Sequence, residues 1–388
     1  MVLAHKKANE EGKNSIMKKY HATPLNISVS ILGKLTRKPV WTGRGKHILI
    51  TDKQNIPNGY AAIIAKNAPK KQRRIPILHN LERAEQLNNG DIISIEPDGK
   101  VNVLYDINSP HNTLMVTERC NYSCIMCPQP KVANEKDKTH LNLRLISLMN
   151  KRTQSLGITG GEPTLIGDKL LDIISACKKE LPRTALTLLT NGMRFEDKEF
   201  AQKISLIRHP DLVIDIPLYA DTDTEHDTII GAKGFYKTIK GLYNLALFEQ
   251  KIGIRIVIHK MTYKRLPQLS EFIYRNFPFV FHVAFMQMET IGLAKENIER
   301  LWIDPYDYNN ELEKAVVYLS QREVNVSIYN TQLCILPPNL WQFARKSISL
   351  WKRIYIEECD KCECREDCGG FFASSEEKHS GHIKALKK

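Results

Sequence analysis

The chain has 388 residues, Lys+Arg 56 against Asp+Glu 43, a formal net charge of +13 and a hydrophobic fraction of 42%. Such a length suits one large domain with appendages or two to three domains, and the apolar fraction is ordinary for a globular protein. No apolar run approaches the ~20 residues of a membrane span. The N-terminal stretch MVLAHKKANEEGKNSIMKKY has charges but no apolar core of a secretory signal. These features exclude an ordinary membrane or secreted protein from the reading and lead to a cytoplasmic expectation.

The basic excess is compatible with a nucleic-acid partner, with an acidic peptide, or with no polyanion at all. The basic residues are scattered, apart from short clusters at Lys70-Lys71-Gln72-Arg73-Arg74 and from Lys384 to Lys388. A solvated basic exterior is the plainer reading. Nine cysteines in a reducing compartment point to metal binding or redox chemistry rather than to disulfides.

In chain order, residues 1–25 are polar and without periodicity, and a mobile segment is expected there. Residues 26–108 look β-rich, with short apolar runs at Ile48 to Ile50, Ala61 to Ile64, Ile92 to Ile95 and Val101 to Leu104. The last two flank Asp98-Gly99 and predict a hairpin. From 109 to 300 the rhythm becomes strand, loop, helix. Strands are predicted at Thr113 to Thr117, Ser155 to Thr159, Ala185 to Leu189, Leu212 to Leu218, Ile252 to His259 and Phe279 to Phe285.

Between the strands lie helical stretches. Leu170, Ile173, Ile174 and Cys177 share a helix face, which makes Cys177 a core residue. A second helix is expected over Gly234 to Gln250. Alternating β and α units give an α/β class with a parallel sheet, open or partly closed, since six units are too few for an eight-fold barrel. From 301 to 388 come a helix over Asp304 to Arg322, a strand over Val324 to Tyr329 and a cysteine-rich extension.

The stretch TERCNYSCIMCPQP carries Cys120, Cys124 and Cys127 in a loop between a strand and the next helix. In a parallel α/β fold this is the C-terminal sheet edge, where ligands bind. A structural zinc wants four ligands, and no fourth thiol is local. His111 and His140 lack zinc-knuckle spacing, so zinc needs a distant ligand. An iron–sulfur cubane held by three thiolates keeps one iron open for a substrate or cofactor.

Here the spacing C-x3-C-x2-C resembles the signature of radical S-adenosylmethionine (SAM) enzymes. Gly160-Gly161-Glu162-Pro163, in ITGGEPTL, is similar to that family's second motif, and LLTNGM, with Asn191, is also common there. The resemblance spans about residues 112 to 290. It implies a partial (β/α)6 radical SAM barrel, with a small β-rich N-terminal domain before it. It also implies a 4Fe–4S cluster whose open iron is chelated by SAM, reductive cleavage to a 5′-deoxyadenosyl radical, and hydrogen abstraction from a substrate.

The same resemblance suggests roles for single residues. Gly160 and Gly161 would let backbone approach the methionine end of SAM. Glu162 would accept from its ammonium, and Pro163 suits a helix start. Tyr219, Asp221 and His226 are candidates for ribose contacts, Lys260 for the cofactor carboxylate, and Glu289 for the same cavity. An ordinary acidic loop and solvated side chains are the alternatives.

The tail CDKCECREDCGGFFASS holds Cys359, Cys362, Cys364 and Cys368, with Cys334 upstream in TQLCILPP. An auxiliary iron–sulfur cluster or a structural zinc on Cys334, Cys359, Cys362 and Cys368 is expected, with Cys364 the spare thiol or, alternatively, Cys364 in place of Cys334. CGGFFASS, LPPNLWQFARKSISLW and FVFHVAFMQMETIGLA together look like the maturases of the His-Xaa-Ser system. That implies a small ribosomally made polypeptide with His-Xaa-Ser repeats as substrate. It also implies a partner radical SAM maturase and a reductant of ferredoxin or flavodoxin type. A radical SAM enzyme modifying RNA or a nucleotide is the alternative, and a non-catalytic iron–sulfur or zinc scaffold is the alternative of another class.

Overall fold

The computed structural model describes residues 19–53, 58–68, 75–129, 131–346 and 352–387. Residues 1–18 and the basic cluster Lys70-Lys71-Gln72-Arg73-Arg74 lie outside them. Contacts group the chain into two compact units. The first is Met1–Leu114, Lys138–Gly157 and Ile173–Ala185; the second is Met115–Asp137, Ile158–Asp172 and Leu186–Lys388.

The first unit holds strands β1 (Lys19–His21), β2 (Thr23–Leu25), β3 (Ile31–Thr36), β4 (His47–Ile50), β5 (Ala62–Ala65), β6 (Ile77–His79), β7 (Ile92–Ile95) and β8 (Lys100–Tyr105). They form one sheet in the order β1-β8-β7-β3-β4-β5-β6-β2. The expected hairpin is β7–β8, antiparallel. Gly99 at its turn has φ 86, and a Cβ there would lie 2.0 Å from the Ala22 carbonyl oxygen. The strands β3 to β6 are not joined as hairpins, because they pair in parallel.

Strand structure also begins before residue 26. Tyr20 points into the core between two exposed neighbours in β1, a three-residue alternation too short to register as periodicity. Helix α1 (Thr139–Leu148) belongs to this unit, and Arg144 donates to the Leu32 carbonyl at 3.0 Å. The Tyr105 hydroxyl and Thr153 Oγ1 are 2.9 Å apart. These bonds join residues far apart in sequence, so the unit is not a contiguous stretch.

The second sheet comprises β9 (His111–Thr117), β10 (Ser155–Gly160), β11 (Ala185–Leu189), β12 (Leu212–Pro217), β13 (Lys251–Ile258), β14 (His282–Gln287), β15 (Val326–Tyr329) and β16 (Ala344–Arg345). Its order is β16-β15-β14-β13-β12-β11-β10-β9. Strands β11 to β16 pair in parallel. Between them run α2 (Asp168–Glu180), α3 (Lys198–Ile207), α4 (Asp223–Ile230), α5 (Phe235–Leu247), α6 (Leu266–Asn276), short turns α7 (Leu293–Glu296) and α8 (Ile298–Leu301), and α9 (Asn309–Ser320).

The chain is thus an α/β protein with a parallel sheet, as its strand–helix rhythm implies. Cys177 is buried in α2. Strand β14 starts at His282 rather than Phe279, because Phe277 and Phe279 pack their rings on Tyr243 and on each other. The helix expected from Asp304 opens as a 3-10 turn, with the Asp304 carboxylate accepting from the Tyr306 amide at 2.9 Å.

Alternation along β12 to β15 sorts the sheet into two unlike faces. One presents Ile214, Ile216, Ile254, Ile256, Phe285 and Ile328, all buried, and α5 packs on β13. The other presents Asp215, Arg255, Val257, His282, Met286 and Tyr329, all partly exposed. A parallel sheet covered on both faces reads as unbroken apolar runs. A half-open face with a few converging polar groups is instead what a ligand site needs.

Candidate metal centre and cofactor site

Strand β9 ends at Thr117, and the cysteine loop follows directly. The Ser123 and Ile125 amides donate to the carbonyls of Ile230 and Ile229 at 2.8 and 3.0 Å, which pins the loop to the end of α4. The Leu293 amide donates to the Cys127 carbonyl at 2.9 Å. Met126 is buried with Ile229, Met288 and Leu301, and Tyr219 packs on that cluster. The loop is thereby held at backbone level while its thiols stay partly accessible.

The three thiols form a mutually repelling group. Burial pushes Cys124 up to about 12, helped by the neighbouring Cys127 and Cys120. Burial likewise raises Cys120 and Cys127. Around them the loop supplies few compensating contacts: the Tyr122 amide donates to Cys120 Sγ at 3.4 Å, and Cys127 Sγ donates to the Gln129 carbonyl at 2.8 Å. Three clustered thiolates need cationic neutralisation, and an iron–sulfur cluster provides it. The donor set fits such a group.

The glycine pair has a use within the chain itself. A Cβ on Gly160 would lie 2.1 Å from the Thr117 carbonyl oxygen, and one on Gly161 would lie 2.2 Å from that of Arg119. The Gly161 and Glu162 amides donate to these same two carbonyls, each at 2.8 Å. So the glycines let the turn after β10 close on the cysteine loop itself.

Glu162 is neither solvated nor free for an ammonium. It is 1% exposed. One carboxylate oxygen accepts from the Thr164 amide (2.9 Å), Thr164 Oγ1 (2.6 Å) and Thr190 Oγ1 (2.6 Å), and the other accepts from the Asn191 amide (2.6 Å). Burial raises its pKa, and these four donors oppose the rise. Pro163 follows at the start of a 3-10 turn that Glu162 caps. Asn191 Nδ2 donates to Asn121 Oδ1 at 2.7 Å, inside the cysteine loop. One buried carboxylate therefore links the three motifs. In Glu162→Gln an amide N–H2 must face N–H and O–H donors, which costs about 1–3 kcal/mol. The expected outcome is a lower urea midpoint together with faster loss of cluster iron to a chelator, read by absorbance.

The remaining candidates divide. Tyr219 stands beside the cysteine loop, and its amide donates to His226 Nδ1 at 3.3 Å. Asp221 is not available to a ribose as the structure stands, because Arg265 pairs with it through Nε at 3.0 Å and Nη2 at 2.5 Å. His226 is 1% exposed, with its ring against Tyr219 and Phe235, and burial lowers its pKa to about 4. Lys260 is exposed, and its Nζ donates to the Glu299 carbonyl at 3.4 Å. Glu289 pairs with Lys352 at 2.9 Å.

Sequence reasoning missed the polar groups on the open sheet face. Arg255 sits mid-strand in IGIRIVI, and Nη2 donates to Met286 Sδ at 3.1 Å. Asp215 sits mid-strand in LVIDIP. Each is a charge inside an apolar run, and that interruption was the available signal.

The tail thiols and Cys334 gather in one place. Cys334, Cys359, Cys362 and Cys368 line one pocket, with Cys364 and the backbone-level strap Lys384 and Leu386. Burial raises Cys334, as do Cys368, Cys359 and Cys362, while a Lys384 backbone hydrogen bond opposes the rise. The Leu333 and Gly370 amides donate to Cys368 Sγ at 3.4 and 3.5 Å, and the Leu386 amide donates to Cys362 Sγ at 3.4 Å. The basic C-terminal stretch thus contributes to this pocket from Lys384 to Leu386; Lys388 lies outside the described residues. Cys364 is 5% exposed and packs with Leu333. Among the described residues no three His, Cys, Asp or Glu side chains converge on one ion position.

Among the described residues, no helix is long and apolar enough to cross a membrane. Residues 114–273 match the Radical SAM superfamily. An uncharacterized protein of Methanocaldococcus jannaschii is 26% identical over 220 residues, 54% of this chain and 72% of that one. The Fe-coproporphyrin III synthase of Methanosarcina barkeri is 26% identical over 163 residues, 41% of this chain and 39% of the synthase. Among solved structures, Streptococcus suis SuiB bound to precursor peptide SuiA aligns with TM-score 0.49 at 18% identity, covering 60% of this chain and 51% of SuiB. The chain thus spans about half of SuiB and less than half of the synthase. The superfamily match thus runs from within β9 into α6 and takes in the cysteine loop, the turn after β10 and Asn191.

Proposed function

We propose that the protein is a radical SAM maturase that modifies a small ribosomally made polypeptide with His-Xaa-Ser repeats. The observation that carries the enzyme reading is the triad Cys120, Cys124 and Cys127. Its loop is clamped by the Gly160-Gly161 turn and, through Asn121, by Asn191. When bound, the cluster and SAM supply the electron and the radical chemistry. The chain's own task is to hold three thiolates, orient the cofactor over the open sheet face and exclude water. In this reading the sheet is a partial (β/α)6 barrel, and the first sheet is a peptide-docking or accessory module.

Arg255 takes the part expected of Lys260. Its guanidinium lies on the open face, makes its only side-chain hydrogen bond among the described residues to a thioether, and suits the cofactor carboxylate. Arg255→Gln is expected to weaken SAM binding about tenfold, the 1.4 kcal/mol of one charge-assisted hydrogen bond. Equilibrium dialysis of labelled SAM reads this, and Arg255→Lys should fall between the two.

Cys334, Cys359, Cys362 and Cys368 would hold a second iron–sulfur cluster, as in many radical SAM enzymes acting on peptides. A partner maturase and a ferredoxin or flavodoxin complete the system. The test is anaerobic incubation with SAM, reductant and a synthetic polypeptide of His-Xaa-Ser repeats, followed by mass spectrometry. A mass change confined to reactions containing SAM supports the substrate. An unchanged polypeptide, in reactions that consume SAM, removes it.

A further inference from the structure

Among the described residues, the mid-strand Asp215 on the open sheet face has no close partner. Its carboxylate accepts no hydrogen bond and meets no cation within ion-pair distance among the described residues. Arg255 acts on it only through the longer-range field. Elsewhere the chain pairs its partly buried acids closely, Asp221 with Arg265 and Glu289 with Lys352. Near Asp215 the polar groups are otherwise engaged. His282 Nε2 and Ser327 Oγ are 3.0 Å apart, and the Arg255 guanidinium turns to Met286.

Room for the carboxylate is built in. Gly253 is the register partner of Asp215 on β13, and His282 is the partner of Gly253 on β14. A Cβ at Gly253 would lie 2.0 Å from Asp215 Oδ1. Asp215 therefore lies over a bare patch of sheet that any side chain would fill. Leaving a half-buried carboxylate without a partner costs free energy, and such a cost persists when a ligand relieves it.

We propose that Asp215 is a substrate-recognition residue whose carboxylate receives a basic group of the substrate, an imidazole or ammonium, on the open face of the sheet. The proposal rests on the radical SAM reading for the identity of that face. An ionised carboxylate only accepts, so its complement is a donor or a cation. The row of Asp215, Gly253 and His282 lies nearer the strand starts than the row of Pro217 and Arg255. The cysteine loop follows the end of β9, so Asp215 sits below the cofactor's level, where a substrate reaches in.

The experiment uses the full chain, anaerobically reconstituted with iron and sulfide and supplied with SAM. Imidazolium and methylammonium chlorides are the probes, and sodium chloride at equal ionic strength is the control. The wild type is expected to gain thermal stability with each probe above the control, and Asp215→Asn to lose that gain. Without probes, Asp215→Asn should melt about 2 °C higher than wild type, because an unpartnered charge has gone. Asp215→Ser, smaller and uncharged, should also lose the probe response. A lower melting midpoint for Asp215→Asn, or equal probe gains in wild type and both variants, would overturn the assignment. Deoxyadenosine formation by the wild type tests the radical SAM reading separately.

Discussion

Cys124→Ala is expected to abolish SAM cleavage and remove the first cluster while leaving the tail site loaded. Of the three loop thiols, Cys124 is the one pushed furthest, up to about 12, by burial and by its two neighbours. A buried thiol left to itself stays protonated, and it becomes a thiolate ligand only when a cation takes up the charge. Iron analysis after reconstitution should fall by roughly half if both sites hold cubanes. Deoxyadenosine should drop to background. Cys334→Ala should do the converse for iron, with the loop cluster still present in the electron paramagnetic resonance spectrum. Full retention of iron in Cys124→Ala would remove the loop from the metal centre.

The second large effect concerns packing. Gly161→Ala places a methyl 2.2 Å from the Arg119 carbonyl oxygen and 2.6 Å from its carbon. The obstacle is backbone, which cannot swing aside as a side chain can. Either the β10 turn or the cysteine loop must move, breaking the 2.8 Å bonds from Gly161 and Glu162. A cost of at least about 3 kcal/mol follows. The expected result is poor cluster incorporation and a depressed melting midpoint in the same variant. Gly167→Ala is a useful contrast. It lies four residues past the motif with φ 61, ψ −134 and nothing within 4 Å of its Cβ, so its cost is backbone strain of about 1–3 kcal/mol, and cluster incorporation should be unchanged.

Much of the second unit was legible because its strands are long apolar runs and its motifs fall at the strand ends. The cysteine loop, the turn after β10 and Asn191 could be named from order and spacing alone. What they do could not. Glu162 reads as a solvated or cofactor-facing acid until Thr164, Thr190 and the Asn191 amide are seen around it. Asp221 has the look of a ribose ligand until Arg265, 44 residues on, closes on it.

Long-range pairing of this kind leaves no local trace. The same holds for the parallel strands β3 to β6, whose short apolar runs resemble hairpin strands until their register is known. Asp215 and Arg255 are the opposite case. Their signal was present, a charge breaking an apolar run, and the apolar period masked it.

The most direct measurement is deoxyadenosine formed from SAM by the anaerobically reconstituted, dithionite-reduced protein. Deoxyadenosine produced by the wild type and absent in Cys124→Ala is the expected result. A fully iron-loaded protein that binds SAM and yields no deoxyadenosine would contradict the enzyme reading and leave a metal-binding scaffold in its place.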